Sequence, residues 1–171
     1  MKTSICGKGG SGKSSLTALI AKALTQHGVK VLVIDADESN SGLYRLLGVE
    51  RPLNLLDHLG GKKAFKKTLN TTFPPPTGTL FQDRLTIADL PRECVAENNG
   101  LKLVSVGKIH HAGEGCACAL GVLSKMVLSK LDLAADEMVL IDTEAGVEHF
   151  GRGVDTRSEE RRVGKECATG C

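Results

Sequence analysis

Apolar positions along the chain alternate between two periods. Thr3, Ile5 and their neighbours read as a short first strand, interrupted by the glycine-rich residues 7–12, whose backbone is free to turn. From residue 14 to 27, Leu16, Leu19, Ile20, Ala23 and Leu24 recur at helical spacing, and Gly28 follows as a stop; that stripe is expected to face a sheet. Residues 29–34 are a nearly continuous β-branched run ending at Asp35, the pattern of a parallel strand covered on both faces. Strand, helix and strand make a βαβ unit. Residues 41–47 predict a short helix closed by Gly48, and residues 53–67 alternate between weakly helical and basic stretches. Pro74, Pro75, Pro76 and Gly78 mark a loop, and residues 101–106 resume as a strand. A helix over residues 119–131, with Leu120, Leu123, Val127 and Leu131 on one stripe, leads to a strand at 138–141. This alternation predicts an α/β fold of three layers, a mostly parallel sheet flanked by helices.

With 171 residues and 41% apolar composition, the chain can bury one core and needs no second domain. Its 22 basic residues nearly balance 20 acidic ones, so the net charge of +2 creates no whole-chain field for DNA or an anionic membrane, and any anion site must be local. Aromatic content of 3%, with no Trp, leaves few rings for stacking bases. No apolar run is long enough to span a bilayer and no leader-like segment opens the chain, so a cytoplasmic protein without nucleic-acid or membrane partners is expected. Residues 156–171 crowd charges with almost no apolar partners and resemble a translated adapter tail. The expectation is therefore a partial domain over 1–155, incomplete on its carboxyl-terminal side, followed by a non-native or disordered tail.

Gly7-Lys8-Gly9-Gly10-Ser11-Gly12-Lys13-Ser14 has the Walker A spacing, between a predicted strand and a predicted helix, with Ser15 following. Glycines at this spacing let successive backbone amides converge on phosphate oxygens, and the helix N-terminus adds partial positive charge. Lys13 is placed to reach the β and γ phosphates of ATP, and the Ser14 hydroxyl to ligate Mg²⁺. Asp35 and Asp37 sit at the carboxyl end of the second strand, where α/β folds gather ligand-binding residues. Capping of the next helix by Asp37 or Ser39 is the other reading of that position. Asp142 ends a later strand in the same way.

Cys116 and Cys118 are separated by one residue, a spacing that strains a disulfide ring but lets two thiolates hold one soft ion from the same side. Tetrahedral zinc wants four ligands, and a two-fold axis through the ion would supply the pair from each of two copies. Of the other cysteines, Cys6 and Cys94 read as structural, and Cys167 and Cys171 belong to the tail.

Lys8, a second lysine inside the loop, resembles the deviant Walker A of the MinD, ParA and nitrogenase iron-protein superfamily of P-loop NTPases. That resemblance implies a homodimer in which Lys8 reaches the partner's nucleotide, as an arginine finger does. It implies that Asp37 orients or deprotonates the attacking water, with Asp35 supporting Mg²⁺. Asp142-Thr143-Glu144-Ala145-Gly146 is similar to the superfamily's Walker B and second switch, implying that Asp142 holds a Mg²⁺ water and that Gly146 senses the γ-phosphate. With Gly115-Cys116-Ala117-Cys118 and residues 142–153 added, the likeness narrows to CooC-type ATPases, nickel-insertion factors of carbon monoxide dehydrogenase. It implies Ni²⁺ or Zn²⁺ at the cysteines, coupled to nucleotide through dimerisation, and a client metalloenzyme of that kind. A MinD- or ParA-type positioning switch would carry a DNA or membrane element. An iron-sulfur reductase would carry a cysteine where Ala145 stands.

Overall fold

A computed structural model describes residues 1–39, 42–70, 78–108, 118–144 and 160–163, with the backbone alone for Thr79, Cys118 and the last four. Cys116, Gly146, the proline run at 74–76 and most of the charged tail lie outside the described residues.

The strands are β1 (Lys2–Cys6), β2 (Lys30–Asp35), β3 (Ala96–Asn98), β4 (Leu101–Ser105), β5 (Glu137–Asp142) and β6 (Glu160–Val163). The helices are α1 (Lys13–Gln26), α2 (Leu43–Leu47), α3 (Leu55–His58), α4 (Gly61–Asn70) and α5 (Cys118–Lys130). The strands form one sheet in the order β3-β4-β2-β5-β1-β6, parallel except for β3 against β4. The fold is thus the expected mostly parallel α/β sheet flanked by helices. β3 is a finding that the apolar periodicity did not predict. It is joined to β4 through Asn99 (φ 49°) and Gly100 (φ 82°), the left-handed pair that a two-residue hairpin needs. Within the tail expected to lack structure, Glu160–Val163 align their backbone beside β1 as β6, pairing that needs backbone groups at a sheet edge and no apolar side chain.

Both faces of the central strands are apolar, and period two divides them. Leu32 and Ile34 of β2, Val104 of β4, and Val139 and Ile141 of β5 face a core shared with Leu55, Leu56, Phe65 and the stripe Leu120, Leu123, Val127 and Leu131 of α5. Val31, Val33, Leu103 and Leu140 face the opposite core, closed by Ala18 and Ala21 of α1 and Leu43 and Leu47 of α2. The α5 stripe is the expected one, but the α1 stripe is met only in part: Ile20 and Leu24 are half-buried against this second core. Leu16 and Leu19 are 42% and 66% exposed, whereas Thr17 and Ala21 are fully buried. Lys13 and Thr17 point inward at the start of α1, and the residues buried after Lys13 are the small ones, Thr17, Ala18 and Ala21.

Strand order places the site. The chain leaves β1 through α1 and enters β2 two positions away, and β5 later fills the gap between them. Register brings Ser105, Asp35, Asp142 and Ile5 to one level across β4, β2, β5 and β1, at the carboxyl ends of the strands.

Candidate functional site: a phosphate cradle above three carboxylates

The loop after β1 turns through Gly10 (φ 74°) and Gly12 (φ 82°), left-handed conformations that residues with a side chain rarely adopt. The space around both is open, so the demand on glycine is conformational and not steric. The Ser11 amide donates to the Lys8 carbonyl at 3.2 Å, closing the turn, and the buried Lys13 ammonium donates to the same carbonyl at 3.2 Å. α1 then starts at Lys13 with no side chain capping its N-terminus, so its first-turn amides are not engaged by a cap. Residues 8–12, Lys8 included, are exposed; Ser14 is half-buried and Ser15 exposed.

Beneath α1 lies Asp142, fully buried at the end of β5. Its Oδ1 lies 3.5 Å from the hydroxyl of Thr17, which also donates to the Lys13 carbonyl at 2.8 Å. Burial pushes the Asp142 carboxyl up to about 6; the Ser14 hydroxyl favours its ionised form, Asp35 and Asp37 oppose it, and Lys13 favours it. Its Oδ2 is buried and accepts no hydrogen bond from the described residues. A buried carboxylate oxygen without a donor, next to the Ser14 hydroxyl and under a phosphate-binding loop, is a donor set that suits Mg²⁺, a hard cation that prefers oxygen. Among the described residues no three His, Cys, Asp or Glu side chains converge closely enough to cage a metal. Mg²⁺ in a nucleotide site needs fewer, because phosphates and water complete its shell.

Asp35 and Asp37 are placed differently from each other. Asp37 Oδ1 accepts from the Ser39 amide at 2.9 Å and the Ser39 hydroxyl at 2.7 Å, so it organises its own turn and does not cap α2, whose N-cap is Gly42. Asp35 Oδ1 accepts from the Asp37 amide at 3.3 Å, and its Oδ2 accepts from the Lys108 ammonium at 2.7 Å. Both partners of that ion pair are nearly enclosed, with side-chain exposures of 6% and 8%. Burial still raises the Asp35 carboxyl above the usual carboxylate range, against the opposing pull of Lys108. Each Asp35 oxygen thus accepts from one protein partner and keeps a lone pair with which it could accept from a Mg²⁺-bound water.

Sequence reasoning missed Lys108 and Thr17. For Lys108 a signal was available, since it follows the carboxyl end of a parallel strand just as Asp37 does. A cavity of about 20 Å³ touches Asp35, Asn54, Ser105 and Lys108, room for a water molecule and not for a nucleotide. Cys118 opens α5, and Cys6 and Cys94 are buried and form no disulfide among the described residues. No helix among the described residues is long and apolar enough to cross a membrane.

A family model described as CbiA, the CobQ/CobB/MinD/ParA nucleotide binding domain, matches residues 3–156. The chain is 50% identical over 155 residues to an uncharacterised ATP-binding protein of Methanocaldococcus jannaschii, covering 91% of this chain and 62% of that protein. It is 36% identical over 160 residues to the carbon monoxide dehydrogenase accessory protein CooC of Rhodospirillum rubrum, covering 90% and 58%. The chain thus spans about three-fifths of the length of these relatives. Among solved structures it is similar in fold to the septum site-determining protein MinD complexed with Mg-ADP from Pyrococcus horikoshii, with a TM-score of 0.59 and 21% identity over 96% of this chain and 57% of that one. The kinase domain of the Escherichia coli tyrosine kinase ETK gives the same TM-score at 17% identity, over 99% and 57%. A phosphate-binding loop over strand-end carboxylates, in a chain whose residues 3–156 match this model, belongs to the CobQ/CobB/MinD/ParA family of P-loop nucleotide-binding domains.

Proposed function

We propose that this chain is the nucleotide-binding part of a homodimeric ATPase that couples ATP binding and hydrolysis to holding Ni²⁺ or Zn²⁺ at Cys116 and Cys118, for maturation of a carbon monoxide dehydrogenase-like enzyme. The observation that carries the reading is the 36% identity to CooC over 90% of the chain, a stretch that includes the Cys-x-Cys pair.

In this reading the amides of residues 7–15 and the Lys13 ammonium bind the phosphates of ATP. Ser14 and Asp142 would hold Mg²⁺, which on binding neutralises charge on the transferring phosphoryl group. Lys8, exposed on the loop, supplies the partner's nucleotide with a second cation. Asp37 orients the attacking water and accepts its proton. The water oxygen bonds to the γ-phosphorus as the bond to the bridging oxygen breaks, leaving ADP and phosphate. Gly146, in the segment after Asp142, carries the change of phosphate state outward. Two thiolates per copy make a complete soft-metal site only when two copies meet, so metal and nucleotide favour the same dimer.

The test is metal content and oligomeric state measured together, for the parent and for a Cys116→Ser, Cys118→Ser double variant. The parent is expected to bind one Ni²⁺ or Zn²⁺ per dimer and the variant none, with nucleotide affinity preserved. Equal metal content in the two proteins would end the metallochaperone reading.

A further inference from the structure

Lys108 reaches the carboxylates because of the residue before it. A Cβ built on Gly107 would lie 2.2 Å from Leu120 Cδ2 and 3.1 Å from Leu56 Cβ, so glycine lets the chain after β4 pass between α3 and α5 without displacing either leucine. Two backbone bonds fix that passage: the Val106 amide donates to the Asp35 carbonyl at 3.0 Å, and the Leu56 amide donates to the Val106 carbonyl at 2.9 Å.

So delivered, the Lys108 ammonium bonds two acceptors, the Asp35 carboxylate at 2.7 Å and the Asp37 main-chain carbonyl. Asp35 in turn accepts from the Asp37 amide at 3.3 Å. The peptide groups on either side of the Asp37 α-carbon are thus each held by one member of a buried ion pair, and the ring closes on itself: Lys108 to Asp35, Asp35 to the Asp37 N–H, the Asp37 C=O back to Lys108. Neither ion-pair member is used by the phosphate cradle, whose own lysines are Lys8 and Lys13.

We propose that Lys108 is a positioning residue: with Asp35 it clamps the backbone of Asp37 and thereby aims the Asp37 carboxylate at the attacking water. The inference rests on the ATPase reading above and adds to it the device that holds the first switch in place. A charge-assisted bond on each side of one residue restricts both of its backbone torsions, and misplacement of a water-orienting carboxylate by about 1 Å costs about 100-fold in rate.

The experiment compares the parent protein with Lys108→Met, alone and in an Asp37→Asn background, by three readouts. Steady-state hydrolysis should show kcat reduced about 10- to 100-fold by Lys108→Met, while the Mg-ATP dissociation constant from calorimetry stays within about threefold of the parent. In the Asp37→Asn background the same substitution should cost nothing further, because both changes remove one function. Hydrogen exchange should accelerate at the Asp37 amide and remain as in the parent across residues 13–20 of α1. If Lys108→Met does not fold, the Asp35→Asn, Lys108→Met pair removes both charges together and is read in the same way. An unchanged kcat, equal losses in the two backgrounds, a dissociation constant that rises in step with the fall in kcat, or exchange that accelerates throughout would each overturn the clamp. A parent that hydrolyses no ATP would defeat the ATPase reading alone, and exchange at the Asp37 amide would still decide whether the clamp exists.

Discussion

Burial pushes the Asp142 carboxyl up to about 6, and the sign of the consequence is opposite for folding and for binding. A carboxyl whose folded value lies above its unfolded value of 3.8 holds its proton more tightly when folded. Its contribution to stability is present below about pH 4 and is lost as pH rises through about 6. Asp35, also raised, acts in the same direction, and Lys13, Asp35, Asp37 and the Ser14 hydroxyl are the groups that face Asp142. Metal-free protein in chelator should therefore lose about 3 kcal/mol between pH 4 and pH 7 from this group. An Asp142→Asn variant should show a correspondingly flatter pH dependence in melts, while Mg-ATP affinity of the parent should rise over the same range as the carboxylate ionises. At this scale the chain was legible wherever residues of one site adjoin in sequence. Gly7 to Ser15 declare a phosphate loop by spacing alone, and Asp35 and Asp142 stand out because each ends an apolar run. Lys108 carried only the weaker signal of a lysine just past a strand end, because its partner lies 73 positions away and only the sheet order brings them together.

For the elements, periodicity located α1 and α5 to within a residue at each end, and it chose the right face of α5 but only part of that of α1, where Ile20 and Leu24 pack on the core and Leu16 and Leu19 do not. The difference is physical. Beyond Cys118, the large apolar residues of α5 turn to the core, whereas α1 begins with Lys13 turned inward and Thr17 set against Asp142, and every later residue inherits that rotation. Apolar positions at i, i+3 and i+4 define a stripe but do not say which functional group overrules it. Substitutions should register this directly: Ala21→Leu, which pushes three extra carbons into the fully buried seam against the sheet, should destabilise by about 1–3 kcal/mol. Leu19→Gln, on the exposed side, should stay within about 0.5 kcal/mol. Denaturant titration of the two variants checks the ordering, and a larger loss for Leu19→Gln would restore the face read from periodicity. β3 was within reach as well, since Asn99-Gly100 is a strong hairpin signal, but a three-residue strand offers too little alternation to be seen.

The whole molecule presents Lys8 on an exposed loop beside Lys13, which is turned inward onto its own cradle. If Lys8 serves a second copy, hydrolysis per mole of protein should rise with protein concentration, and Lys8→Ala should lower kcat by about 1,000-fold or more while Mg-ATP binding persists. A turnover rate independent of concentration, with Lys8→Ala as active as the parent, would assign Lys8 to solvent. The arrangement of strands carries one more consequence, for how the domain is made. β5 is translated after β1, β2, β3 and β4, yet it occupies the slot between β1 and β2. Until it arrives, those two strands have no common neighbour and α1 has no floor under its first turn. A nascent chain that has reached Ser105 therefore owns the whole glycine loop without the pedestal that shapes it. Competence to grip a triphosphate should then appear late and in a single step, when one strand threads into the middle of a sheet already half assembled.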